Sequence, residues 1–244
     1  MFKPISPTAF ASAFALALGV ASMPAHADLV FSGTGTDSDG TAIAATVDFN
    51  LTGSTLTIVL TNTGTTNLAS QASVLTNLLF NVAPSTGALP GAAGSAALTV
   101  GSSLVGPASS QTVGQNWQYI AGLGVGSSGF DGFGPSGNLC GSAGCGVMVD
   151  GSAFGIVPNG ANLTLDGLPS RTYIEDSATF TLLVTDPTFT LSEITSVTFD
   201  YGTGSGEGRI IGIPDVPDVP EPGSLALFGS ALAAMGFIRR RRRV

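Results

Sequence analysis

The sequence predicts an all-β body, a single β-sandwich or jelly-roll-like domain, with a short apolar segment at either end of the chain. Three observations predict it. Threonine-rich stretches alternate with branched and aromatic residues at period two, the mark of strands with one buried face. No convincing amphipathic helix occurs between residues 28 and 213. No fixed-period repeat occurs, which disfavours a solenoid. Two smaller sandwiches split by a glycine-rich stretch are the alternative arrangement.

The strands follow in order. Val47, Phe49 and Leu51 alternate with Thr46, Asp48 and Asn50, and Leu56, Ile58 and Leu60 alternate with Thr55, Thr57 and Thr61. Thr52-Gly53-Ser54 between them reads as a hairpin turn, and Asn62-Thr63-Gly64 ends the second strand. Residues 74–82 are dense in apolar side chains and predict a central strand buried on both faces. A short helix competes there, but Asn77 and Asn81 disfavour it. Residues 84–94 read as a small-residue loop, residues 98–105 as one short strand, and residues 115–121, with Trp117 and Tyr119, as another. Residues 122–155 hold twelve glycines in 34 positions. That density disfavours regular structure, since each glycine costs extra backbone entropy to order. The stretch reads as a long loop and the first candidate for a binding region. Leu163 and Leu165 open a second strand-rich section. It continues through Phe180, Leu182 and Val184, then Val197, Phe199 and Tyr201, and closes with residues 209–213. Residues 214–222 form a proline-spaced, extended spacer.

The two ends differ from this body. Lys3, an apolar run over residues 9–20 and the small-x-small triplet Ala25-His26-Ala27 predict a signal peptide over residues 1–27, cut after Ala27. That implies the Sec translocon and signal peptidase as partners. At the other end, Pro220-Glu221-Pro222 precedes sixteen uncharged residues, 223–238, and then Arg239, Arg240, Arg241, Arg242 and Arg243 before Val244. As a helix the sixteen residues would span roughly 24 Å, a little short of a ~30 Å hydrocarbon core. Local thinning and snorkelling arginines accommodate the difference. Five adjacent arginines resist crossing a bilayer, so residues 239–244 stay cytoplasmic and the body lies on the far side.

These three parts in this order resemble the PEP-CTERM sorting signal of Gram-negative bacteria. The resemblance implies that exosortase, a membrane protease-transpeptidase, recognises the motif, cuts near it and releases or transfers the protein. It implies an exported protein, transiently held in the inner membrane by its C-terminal helix, that accompanies exopolysaccharide and biofilm production. It implies a route and a destination, not an activity.

Trimming both ends changes the balance of charge. The whole chain has a formal net charge of −8; residues 28–219 carry fifteen acids against two bases, Arg171 and Arg209, a net of −13. The one histidine, His26, and the one lysine, Lys3, leave with the signal peptide. A body without histidine has no Ser-His or Cys-His nucleophile pair, no imidazole metal ligand and no ordinary general base near neutral pH. A body without lysine has no Schiff-base chemistry and no P-loop. Strong negative charge argues against nucleic acid as a partner. Carboxylate pairs could still hydrolyse glycosides, but no spacing singles one out. The composition predicts a protein that is not an enzyme.

Cys140 and Cys145, in Cys-Gly-Ser-Ala-Gly-Cys, predict a structural disulfide in an exported protein. The loop it closes is worth roughly 2 kcal/mol on a chain-entropy argument. A redox pair or half of a metal site are the functional alternatives. Asp37-Ser38-Asp39-Gly40 resembles a calcium loop, yet the flanking positions of the EF-hand pattern hold Gly35 and Thr46 in place of acids. A polar turn fits better. Glu175-Asp176 lacks a third ligand. No cofactor is predicted; a structural calcium elsewhere on the acidic surface has no residue pattern behind it. Asn50-Leu51-Thr52 and Asn162-Leu163-Thr164 match a glycosylation pattern that is weak in bacteria. Trp117, Tyr119, Tyr173 and Tyr201 could form a sugar-stacking platform, with Trp117 and Tyr119 two residues apart on one strand face, or they are core or rim aromatics of the sandwich. The function expected is therefore an exported surface or matrix protein associated with exopolysaccharide. A carbohydrate-binding module, or a carboxylate-dependent glycan hydrolase, is the alternative.

Overall fold

The computed structural model describes residues 28–83, 94–107, 112–120, 122–127, 152–164, 171–204 and 206–215. The expected signal peptide, the cysteine pair, the Pro220-Glu221-Pro222 motif, the apolar segment 223–238 and the arginine cluster all lie outside these residues. Among the described residues no helix is long and apolar enough to cross a membrane.

Thirteen strands occur among the described residues. In chain order they are β1 (Leu29–Thr36), β2 (Ala42–Thr52), β3 (Thr55–Asn62), β4 (Leu75–Val82), β5 (Gly94–Leu98), β6 (Ser103–Val105), β7 (Trp117–Ile120), β8 (Gly124–Ser127), β9 (Ile156–Val157), β10 (Tyr173–Glu175), β11 (Ser177–Leu183), β12 (Ile194–Tyr201) and β13 (Gly208–Pro214). A single helical turn, α1 (Val113–Asn116), precedes β7. The protein is mostly β, as expected, but the two-sheet sandwich is not what forms. The strands make one sheet, nearly closed into a barrel, running β5-β11-β3-β2-β1-β13-β12-β4-β9-β10-β6, with β8 on β4 and β7 on β8.

The reason for one sheet is β13. Its first part pairs antiparallel with β12, Tyr201 opposite Gly208 through Val197 opposite Gly212. Its last residues pair with β1, Ser32 opposite Ile213 and Phe31 opposite Pro214. One strand thus joins what would otherwise be two sheets. Glycine in β1 permits it: a Cβ built on Gly35 would stand 2.4 Å from Ile210 Cγ2, closer than real Cβ contacts come. The side chain of Ile210 occupies the space that a larger residue at position 35 would take.

Period two shows clearly in β2 and β3. Val47, Phe49, Leu56, Ile58 and Leu60 face inward and are fully buried. Thr46, Thr57 and Thr61 face outward, half-buried, as a one-sided sheet requires. β11 continues the pattern, with Phe180 opposite Ile58. The two walls meet through aromatic rings. Phe49 of β2 lies 5.4 Å from Phe80 of β4, and Trp117 of β7 lies 4.9 Å from Phe180 of β11. A smaller cluster of Leu68, Val74, Val157 and Tyr173 packs beside the main core.

Several local expectations are corrected. Residues 98–105 are not one strand: β5 ends at Leu98, and a turn closed by Ser102 N–H donating to the Thr99 carbonyl at 2.9 Å leads into β6. Leu163 lies in no strand and Leu165 lies outside the described residues; the next described strand after β9 is β10. The glycine-rich stretch begins with a strand, β8, rather than a loop. Glycine makes this strand possible, because a Cβ on Gly124, at φ +139, would stand 2.0 Å from the Leu78 carbonyl oxygen. Bulk is what β8 must lack to lie against β4.

Candidate functional site

Both ends of the body leave the fold together. β1 and β13 are antiparallel neighbours, so the start of one lies beside the end of the other. Asp28, the first body residue, is held by its Oδ1, which accepts from Asn50 Nδ2 at 2.5 Å. Leu29 is already in register with Phe49. At the other terminus Asp215 N–H donates to the Val30 carbonyl at 2.8 Å. Its Oδ1 accepts from Ser32 Oγ at 2.9 Å.

Several carboxylates among the described residues hold turns and strand ends. Asp37 Oδ1 accepts from the backbone N–H of Asp39 at 3.0 Å and of Thr41 at 2.8 Å, and its Oδ2 takes the Ser73 hydroxyl. Asp39 accepts from Ser70 Oγ. The calcium-like sequence is therefore a polar turn between β1 and β2, tied to the 3-10 turn Gln71–Ser73. Glu175 accepts from Gly160 N–H at 2.7 Å and Ser103 Oγ at 2.9 Å. Asp176 accepts from Ser177 Oγ at 3.0 Å. Among the described residues no three His, Cys, Asp or Glu side chains converge in a way that could hold a metal ion.

Trp117 and Tyr119 do lie on one face of one strand, as their spacing requires, but that face is the interior. Trp117 is 0 % exposed and Tyr119 3 %. Trp117 Nε1 donates to the Phe154 carbonyl at 2.8 Å, while burial raises the Tyr119 phenol to about 12. Tyr173 and Tyr201 are buried as well. The exposed stacking platform is thus corrected to a set of core rings, because the inward face of β7 completes the closure against Phe180. A pyranose has no aromatic face to reach there.

The outward side of β7 holds what sequence reasoning missed. Arg209, Asp200, Asn77, Gly126 and Gln118 fall in one register row across β13, β12, β4, β8 and β7. Arg209 Nε donates to Asp200 Oδ1 at 2.6 Å and its Nη2 to Oδ2 at 2.9 Å. The carboxylate side chain is 1 % exposed and the guanidinium side chain 48 %. The bidentate contact raises the Arg209 pKa further, against a smaller opposing effect of burial. Asn77 and Gln118 are fully buried, yet neither amide has a hydrogen-bond partner among the described residues. The available signal was Asn77 and Asn81 alternating through an apolar strand, which places amides on one face of β4.

Comparison with known families speaks to the tail. Residues 218–243 match the model of the PEP-CTERM protein-sorting motif. The chain carries a PEP-CTERM sorting signal. The signal marks an exported protein that exosortase processes at the membrane on the way to the cell surface. No curated protein and no solved structure matches the chain.

Proposed function

We propose that this PEP-CTERM protein is a non-enzymatic component of the cell surface or extracellular matrix that takes part in exopolysaccharide or biofilm architecture. The Sec translocon exports it, signal peptidase removes residues 1–27, and the C-terminal segment holds it in the inner membrane until exosortase acts. The observation that carries this reading is the sorting motif over residues 218–243. The composition of the body supports the non-enzymatic part: it has neither histidine nor lysine, and Asp37, Glu175, Asp176 and Asp200 are spent on turns and an ion pair.

Replacing Pro220-Glu221-Pro222 with three alanines tests the route. A larger form retained in the membrane fraction is the expected result. Unchanged mass with unchanged delivery to the surface would defeat the sorting reading. Purified body assayed on a panel of polysaccharides should show no turnover.

A further inference from the structure

We propose that Asn159-Gly160 is a site of spontaneous covalent change, the conversion of Asn159 to aspartate and isoaspartate, and that Glu175 governs its rate by holding the Gly160 nitrogen.

The chemistry begins in the sequence. Among the asparagines of the chain, only Asn159 is followed by glycine; the others precede leucine, threonine, valine or tryptophan. The side-chain carbonyl carbon of an asparagine is open to attack by the backbone nitrogen of the next residue, which closes a five-membered ring. A side chain on that next residue obstructs the approach, and glycine has none. Asn159 and Gly160 are both exposed. A Cβ built on Gly160 would meet nothing within 4 Å, so the ring and a water molecule both have room.

The step balances with water as its only co-reactant. The Gly160 nitrogen bonds to Asn159 Cγ and gives up its proton, while Nδ2 takes a proton and leaves as ammonia. Water then opens the ring at either carbonyl. One opening leaves aspartate; the other leaves isoaspartate, with the main chain routed through Cβ and Cγ. Nothing is oxidised or reduced.

The fold opposes this reaction at the reacting atom. Residues 158–161 form a tight turn: Ala161 N–H donates to the Pro158 carbonyl at 3.1 Å, and Gly160 has φ +73. Asn159 is not left-handed, so the turn is type II. Such a turn holds ψ of its second residue near about +120°, roughly a third of a rotation from the alignment that brings the next nitrogen over Cβ. Gly160 N–H also donates to Glu175 Oε1 at 2.7 Å, a charge-assisted bond on the nucleophile's own proton. Glu175 is itself fixed. It ends β10, in register with Ser103 of β6 and Val157 of β9, and its Oε2 accepts from Ser103 Oγ at 2.9 Å. Beyond the turn, Asn162 N–H donates to the Thr66 carbonyl at 2.9 Å. The ring therefore closes only after the bond to Glu175 and the turn bond have both broken. The product adds a negative charge next to the residue that Glu175 holds, and the isoaspartyl form lengthens the turn. Either change weakens the clamp, so a converted turn does not re-form as it was.

Peptide mass spectrometry of the purified chain gives the test, with samples incubated folded at neutral pH and unfolded in urea. The reading is the mass gain of an amide turned acid in the peptide that holds residue 159. The unfolded chain should convert there faster than at any other asparagine. The folded parent should convert at least about tenfold more slowly than the unfolded chain, the weight of a hydrogen bond to a charged group. Glu175→Gln keeps an acceptor and loses the charge; Glu175→Ala loses both. Folded rates should therefore rise from parent to Gln to Ala, the last about tenfold above the parent or more. Melting temperatures show that each variant is folded. Ser103→Ala, which frees only Oε2, is the mildest change and should speed conversion by a smaller factor. An unfolded chain that does not convert at 159 overturns the site. A folded parent that reacts as fast as the unfolded chain overturns the clamp, as does a Glu175→Gln chain no faster than the parent. A slower Glu175→Gln chain also overturns it, and would make the carboxylate the base of ring closure.

Discussion

The wall made by β2, β3 and β11 and the wall made by β12, β4, β8 and β7 send similar apolar side chains inward and opposite chemistry outward. On the first wall, Thr57, Thr61, Thr179 and Thr181 stand half in water. On the second, Asn77, Gln118 and Asp200 are fully buried. One wall has a wet face and a dry face; the other, along the row through Asn77, Gln118 and Asp200, has two dry faces, one of them polar. Solvent satisfies the outward groups of the first wall for nothing. The second must supply partners itself, and among the described residues it does so for Asp200 but not for the two amides.

Substitutions can break or sharpen this contrast. The largest effect belongs to the interior that the walls share: Phe180→Ala should lower unfolding free energy by about 4 kcal/mol in urea denaturation. The neighbouring outward change Thr181→Ala should stay within about 0.5 kcal/mol. If the second wall behaves differently, an outward substitution there must be costly. Arg209→Ala strands the Asp200 carboxylate, a change worth about 3–5 kcal/mol for a wholly buried pair. With the guanidinium side chain 48 % exposed, about 2 kcal/mol is expected. A loss below that of Thr181→Ala would erase the distinction. Asn77→Leu removes an unmatched buried amide, so it should be neutral or stabilising by up to about 1 kcal/mol, and a clear loss would show that the amide has a partner in solution.

The smallest effect concerns the one place where the first wall resembles the second. Asp48 lies in register between Val30 and Val59, and its Oδ1 has no hydrogen-bond partner among the described residues. Desolvation first, and the charge of Asp28 second, raise its pKa above the ordinary carboxylate value. A raised native value means that this group favours the fold below the carboxylate range and loses that contribution as pH rises through the native value. Asp48→Asn should therefore raise the melting temperature slightly at pH 7, with the gain vanishing as pH falls below the carboxylate range. A gain that persists in acid would contradict the assigned cause.

The same contrast explains what could be read from the chain. β2, β3, β11 and the first part of β12, where Ser196 and Thr198 stand half in water, were legible because alternation needs a face in water. The hairpin at Thr52-Gly53-Ser54 was legible for its turn chemistry, and Gly53 does sit at φ +61. β8 was not, because its glycines signal a loop locally and reveal their use only where Leu78 comes near. The single sheet was out of reach for another reason. Its joint pairs Phe31 with Pro214, and no local pattern announces a partner that distant. Trp117 and Tyr119 had the right spacing and the wrong environment: period two assigns a shared face without saying which face is dry. The row through Gln118 needed five strands aligned before it existed. The sorting signal, by contrast, is continuous in sequence, so nothing about folding hides it.

Trp117 is the only tryptophan in the chain, and it sits 4.9 Å from Phe180 where the two walls meet. Its indole lies in a water-free setting only when that junction is shut. Intrinsic fluorescence therefore gives an unlabelled optical readout of barrel closure, blue-shifted when the junction is made and red-shifted when it opens.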